Sequence, residues 1–283
     1  MACDANCSFR IKGDILKYFR HEVSGNKLTL YPFVCWHLGA KQSDERFIKE
    51  MVQRVKDDPL ARWIYMGDAG ECITKHSVGS LFRQTMDLTE QLKYFCELTA
   101  PIKQKGLFGI RGNHGNRVFK ETGLEFDEAL CVRAGIPYMG ISCFWQLVFQ
   151  RGRSSTVAYD IFTHHGLDSG ASMASKVTKA RALDQLVLAD VILSAHSHIC
   201  CEIPPKHTAI LEHGGNGAGE HIRWKTTHEY VCGCAYDSRS GYAEDKGYSP
   251  ILPAHLAIAF HVTHGSTGPH ERRQSCQIWR SDA

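Results

Sequence analysis

Five short clusters carry residue types that hold metals. They are Cys35-x-His37 in "VCWHLGA", Gly67-Asp68-x-x-Glu71 in "GDAGE", Gly112-Asn113-His114 in "RGNHG", His165-Gly166 in "HHG" and His196-x-His198 in "AHSH". Together they offer imidazoles, a carboxylate and a carboxamide. Such a mixed nitrogen and oxygen set suits first-row ions such as zinc, manganese or iron. The neighbouring glycines permit tight turns and close backbone approach. His196 and His198 stand two apart, and in an extended segment both side chains point to the same side. A lone histidine at a strand end is more often hydrogen-bonded or solvated than a ligand. The weight lies in five such clusters in one chain.

The elements that must position them alternate. Thr29 to Val34 reads as a strand running into Cys35. Ser43 suits a helix N-cap, and Phe47, Ile48, Met51, Val52 and Val55 follow at helical spacing until Asp57-Asp58-Pro59 stops the helix. Trp63 to Met66 is a short apolar strand ending at Gly67-Asp68. Leu81 to Leu98 predicts a second helix, and Leu107 to Ile110 a third strand ending at Arg111-Gly112-Asn113-His114. Cys143 to Gln150 and Thr156 to Thr163 read as a hairpin about "RGRSS". Val177 to Leu188 predicts a helix, Val191 to Leu193 a buried strand, and the alternation of Leu256, Ile258, Phe260 and Val262 a late strand. Beyond Pro204-Pro205 the chain turns rich in Gly and His. The order of elements argues an α/β fold. Each polar cluster follows the C-terminal end of a predicted strand, where α/β sheets gather their ligand-binding residues.

Composition narrows the class. A net charge of +3 over 283 residues is too mild for a strong nucleic-acid footprint. The N-terminal "MACDANCSFRIKGD" lacks the apolar segment of a signal peptide, and no apolar run reaches the ~18 residues of a membrane span. A soluble cytoplasmic protein with reduced thiols is expected. The close pairs Cys200-Cys201 and Cys232-x-Cys234 lack the two-residue gap of zinc ribbons, so free core cysteines are the expected account of most of the 12.

The five clusters, in this order, resemble the calcineurin-like metallophosphoesterases, whose signature runs Asp-x-His, Gly-Asp-x-x, Gly-Asn-His, a His followed by Gly, then Gly-His-x-His. The resemblance covers about Leu30 to Ile199. "GYAEDKGYSP" adds a similarity to the tails of bacteriophage and prokaryotic members. Two positions depart: Cys35 stands where the family has Asp, and Ala195 where it has Gly.

The resemblance implies a layered αββα sandwich, two mixed β-sheets packed face to face with helices outside. Residues 1–283 would form one domain, with 200–283 completing the second sheet and the pocket rim. It implies two metal ions (Zn, Mn or Fe). His37, Asp68 and His198 would hold the first, with Cys35 at the family's Asp position. Asp68 would bridge to the second, completed by Asn113, His165 and His196. His114 would face the substrate without ligating. The implied activity is phosphomonoester or phosphodiester hydrolysis by a metal-bridging hydroxide. A nuclease of the same fold, or a non-catalytic binding module with a degenerate metal site, are the alternatives. The expected partner is a phosphate-ester substrate, with nucleotide or nucleic acid included and no membrane.

Several residues keep two readings. His165 is favoured over His164 because Gly166 follows it directly and His164 alternates to the other side of the strand. Arg117 is favoured over Arg111 as a phosphate-oxygen partner. Glu71 reads as an acceptor for a ligand's ring N–H or as a solvated helix start. His213 is a candidate for the pocket rim. Cys35 is a thiolate ligand, a neutral thiol that leaves the first metal weak, or the mark of an inactive relative.

Overall fold

A computed structural model describes residues 16–77, 81–151, 155–167, 170, 172–213, 220–239, 250–263 and 271–281. The protein is mixed α/β. One half of its sheet holds β2 (Lys27–Phe33), β3 (Ala61–Tyr65) and β4 (Gly106–Gly109), all parallel. β10 (Ala254–Thr263) pairs antiparallel with β2, and β11 (Glu271–Arg280) antiparallel with β10. The other half runs from β1 (Lys17–Val23) through β5 (Ser142–Arg151), β6 (Ser155–His164) and β7 (Val191–Ser194) to β9 (Glu220–Cys234), with β8 (Cys200–His213) on β9.

The expectation of two separate sheets is corrected, because the eleven strands form one mixed sheet, nine of them in a single path with β8 and β11 branching from it. The halves are stitched where Cys234 and Gly233 of β9 pair with Ala254 and His255 of β10. Gly233 sits at φ +87°, and a Cβ there would overlap the Ala254 carbonyl oxygen. Only glycine lets β9 cross from one half to the other at this point.

Beyond the stitch the halves fold face to face over a shared core. Phe19 and Trp145 of one half meet Phe108 of the other at 5.0 and 5.4 Å between ring centroids, and Tyr159 meets Phe260 at 4.9 Å. Each such fully buried side chain contributes roughly 1.5–3 kcal/mol. Helices α1 (Glu45–Asp57), α2 (Leu88–Thr99) and α4 (Phe126–Ala134) pack outside the first half, through Phe47, Phe95 and Leu130 among others. α5 (Met173–Arg181) and the short turn after it cover the second through Ala180 and Leu183. Among the described residues no helix is long and apolar enough to cross a membrane.

Local differences from the sequence reading have local causes. α1 buries Phe47, Ile48, Met51, Val52 and Val55 as its spacing predicts, but its cap is Asp44, which accepts from the Phe47 amide at 2.9 Å. The Ser43 hydroxyl is occupied instead by the Trp36 carbonyl at 2.7 Å. The helix predicted from Leu81 starts only at Leu88, where Asp87 and Glu90 form a capping box. The helix predicted from Val177 to Leu188 begins earlier, at Met173 under a Ser172 cap, and α5 ends at Arg181. Pro204-Pro205 does not end regular structure but sits in the middle of β8. The β8–β9 register shifts between Ile203 and Lys206, a bulge where prolines withhold no needed donor. The ten cysteines among the described residues are free, and Cys200 lies directly across from Cys232. Of "GYAEDKGYSP", residues 241–249 lie outside the described residues.

Gly233→Ala is expected to lower stability by at least about 2 kcal/mol, through strain plus overlap at the stitch. A urea midpoint unchanged from wild type would show that the stitch does not hold the halves together.

Candidate metal centre

The corners after β2, β3, β6 and β7 and the start of helix α3 (Asn113–Thr122) meet at one end of the folded sheet. Their backbones are laced to each other. The Cys35 amide donates to the Gly67 carbonyl and the His37 amide to the Asp68 carbonyl, both at 3.1 Å. The Ala195 amide donates to the His165 carbonyl at 2.9 Å, and the Ala235 amide to that of Cys35 at 3.0 Å. Gly112 packs against Asp68 so closely that a Cβ would overlap Asp68 Oδ1.

Among the described residues, the non-glycines at positive φ are Cys35, His37, Asp68, Cys72, His196 and His198, at 48–64°. Five of these six carry sequence-predicted ligand groups. Each costs of order 1–3 kcal/mol and persists only where the surroundings over-determine it. This also corrects the reading of His196 and His198. They do not lie in an extended segment, because β7 ends at Ser194 and both adopt left-handed backbone. Their rings therefore diverge. His198 Nε2 faces His37 Nε2 at 3.1 Å, while His196 lies toward His165, with ring centroids 5.4 Å apart.

Two groups of ligating atoms result. Those of Cys35, His37 and His198 lie within 4.8 Å of one another, as do those of Cys35, Asp68 and His165. A third such group, His37, Glu71 and His114, adjoins them. Glu71 Oε2 accepts a hydrogen bond from His37 Nδ1 at 2.9 Å, and His37 Nε2 faces His198. Two nitrogens bound at ~2.0–2.1 Å to one tetrahedral metal stand roughly 3.3–3.4 Å apart, close to the spacing found.

On the other side, His165 Nδ1 donates to the Met66 carbonyl at 2.6 Å. Its Nε2 then faces Asp68 Oδ2 and Asn113 Oδ1, each at 3.0 Å. Asp68 Oδ2 is fully buried and makes no regular hydrogen bond, with the His165 ring as its close charged partner. Lone pairs converge with no proton between them unless His165 is protonated or a cation sits there. The donor set fits a metal.

The electrostatics agree with that reading. Burial pushes the Asp68 carboxyl up, but His165, His114 and His37 together hold it well below the usual carboxylate range. Burial pushes His165 down, and Asp68 outweighs it, so the ring is raised. Burial pushes His198 well down, with His37 and His196 adding to the effect, so that ring is neutral. The Cys35 thiol is raised well above its ordinary value by burial and by Asp68, against the opposing His196 amide. Without a metal it is protonated.

His114 begins α3. Its amide donates to Asp68 Oδ1 at 2.9 Å, which satisfies one of the helix's orphan N–H groups. Its Nδ1 donates to the Glu71 carbonyl at 2.7 Å, and its Nε2 accepts from Arg117 Nη2 at 3.0 Å. Burial pushes this ring down to about 4, so it is neutral at physiological pH. Arg111 turns away to Glu125 at 2.8 Å. His164 Nδ1 accepts from the Gly166 amide and joins no ligand group. His213 does not reach the pocket rim. It pairs with Glu220 at the exposed tip of the β8–β9 ribbon, roughly 40 Å along the strand from Cys200.

Sequence reasoning missed two residues. The Tyr236 ring lies 5.3 Å from that of His37 and 5.6 Å from that of His198. Its only signal is a place just past β9, a strand left unassigned. Asp127 of α4 accepts from the Tyr65 hydroxyl and, at 3.2 Å, from the Gly112 amide, buttressing the Asn113 corner. Burial pushes its carboxyl up to about 7.

No family model matches the chain, and no curated protein does. Solved structures do resemble it. Vps29 from Chaetomium thermophilum is 10% identical with a TM-score of 0.36, over 90% of this chain and 98% of its own. The NAD nucleotidase of Haemophilus influenzae is 11% identical with a TM-score of 0.39, over 90% of this chain and 50% of its own. A hypothetical protein from Thermus thermophilus is 12% identical with a TM-score of 0.39, over 90% and 99%. At such scores these likenesses decide nothing about the site.

Because Glu71 fixes the His37 tautomer, Glu71→Gln is expected to weaken metal binding about 10–100-fold. Calorimetric zinc titration measures this, and unchanged affinity would reduce Glu71 to a surface role.

Proposed function

We propose that the chain is a metal-dependent phosphoesterase, with residues 1–283 acting as one domain. The observation that carries this reading is the buried Asp68 Oδ2, without a hydrogen bond, among imidazole nitrogens. Cys35, His37 and His198 would hold one metal and Asn113, His165 and His196 the other, with Asp68 between. When bound, the metals would supply Lewis-acid activation of water and neutralise charge on the phosphoryl oxygens.

The chain's own residues do the rest. Asn113 offers a neutral carbonyl oxygen, which adds no negative charge beside an anionic substrate. Arg117 is the guanidinium next to the ligand groups, and its planar fork suits phosphate oxygens. Neutral His114 positions it through Nε2, which accepts from Arg117 Nη2. Glu71 holds His37 in the ligating tautomer and anchors the His114 ring through its carbonyl.

One observation favours a second reading. The protonated Cys35 thiol is a poor partner for hard ions, and a chain that holds no metal there would be a binding module. The test is metal content together with turnover of nitrophenyl phosphomonoester and phosphodiester. Near-stoichiometric transition metal and turnover are expected. His114→Ala should cut kcat about 10²-fold, through loss of the Arg117 position, while sparing metal content. Protein that stays metal-free and inactive after addition of Zn, Mn or Fe would overturn the enzymatic reading. Cleavage of single-stranded or duplex oligonucleotides would assign the substrate to nucleic acid.

A further inference from the structure

Among the described residues, Cys35 is shared by the His37–His198 group and the Asp68–His165 group, and His37 by the first group and the Glu71–His114 group. At Asp68, Oδ1 is taken by the His114 amide at 2.9 Å. Only Oδ2 remains. A thiolate carries enough lone pairs to bind two cations at once. We propose that the Cys35 sulfur is the ligand shared by both metal positions, making this a thiolate-bridged centre for thiophilic ions of the zinc class. This rests on the metal-centre reading above.

A plain core cysteine does not account for the geometry. Cys35 is completely buried beneath the histidines, and its backbone is held at φ 49°. Cysteine is not among the residue types that tolerate this region easily. Cys72 shares the positive φ but joins no ligand group, so strain alone assigns nothing. At Cys35 strain coincides with a sulfur aimed at four other ligand atoms. On binding, the thiol proton passes to solvent and the sulfur lone pairs become the donor. A soft sulfur at the bridge favours zinc, cobalt or iron over magnesium or manganese at both positions.

The test is a cobalt(II) titration of the metal-free full chain under reducing conditions, read by absorption. Wild type is expected to show a near-ultraviolet sulfur-to-cobalt charge-transfer band that grows through both the first and the second metal equivalent. Cys35→Ser should lose this band and keep the visible ligand-field bands. Cys35→Asp should do the same and shift zinc-over-manganese preference toward manganese by at least about tenfold. X-ray absorption of zinc-loaded wild type, which needs no variant to fold, should show sulfur at ~2.3 Å. Ligand-field bands without a sulfur band would overturn the proposal and leave the metal centre standing. So would a sulfur band complete at the first equivalent, or one that survives in Cys35→Ser. Failure to bind cobalt or zinc at all would overturn the metal-centre reading itself.

Discussion

A carboxylate oxygen buried without a hydrogen bond must be met by positive charge, and Asp68 Oδ2 is such an oxygen. In a low-dielectric interior an unpaired charge of this kind is among the most costly features a protein can hold. Everything around it reads as compensation. His165 is drawn toward protonation, the first turn of α3 lends an amide to Oδ1, and the His37 and His114 rings crowd the same carboxyl. A helix N-terminus favours negative charge for the same reason. A protonated histidine satisfies this demand in part, and a metal ion satisfies it directly.

Holding that arrangement takes backbone that most sequences avoid. Left-handed φ values at Cys35, His37, Asp68, His196 and His198 turn donors inward at positions where regular strands would point them elsewhere. Such strain is stable only inside a rigid frame. The frame is the folded eleven-stranded sheet, whose halves share an aromatic core and meet at the Gly233 stitch. The Ala235 amide, two residues past Gly233, bonds the Cys35 carbonyl, so the stitch and the centre are mechanically one unit. That link also brings Tyr236 over His37 and His198.

Much of the frame was legible because apolar periodicity reports directly on burial. The Phe47 to Val55 face of α1 and the short apolar strands before each corner fall where the pattern puts them. Errors gathered where another signal competes. Asp44 rather than Ser43 caps α1 because the serine hydroxyl has a tertiary partner in Trp36. The long β8–β9 ribbon escaped notice because Pro204-Pro205 normally ends regular structure, and its bulge is visible only once the partner strand is known. Two sheets became one because a two-residue pairing between β9 and β10 leaves no trace in either strand's pattern.

The sequence by itself determined the donor inventory and its order: Cys35 and His37, Asp68, Asn113 and His114, His165, His196 and His198, each following a strand. Residue type and local spacing encode that much, because chemistry and strand ends are local properties. The tertiary structure alone decided which donors share a space. It placed His198 against His37 and His196 toward His165, left His164 and His213 outside, and brought in Tyr236 and Asp127. It also put the Cys35 sulfur in both groups while engaging one oxygen of Asp68. Those outcomes depend on backbone handedness at single residues and on contacts between separate elements, some of them more than a hundred residues apart, which no local pattern records.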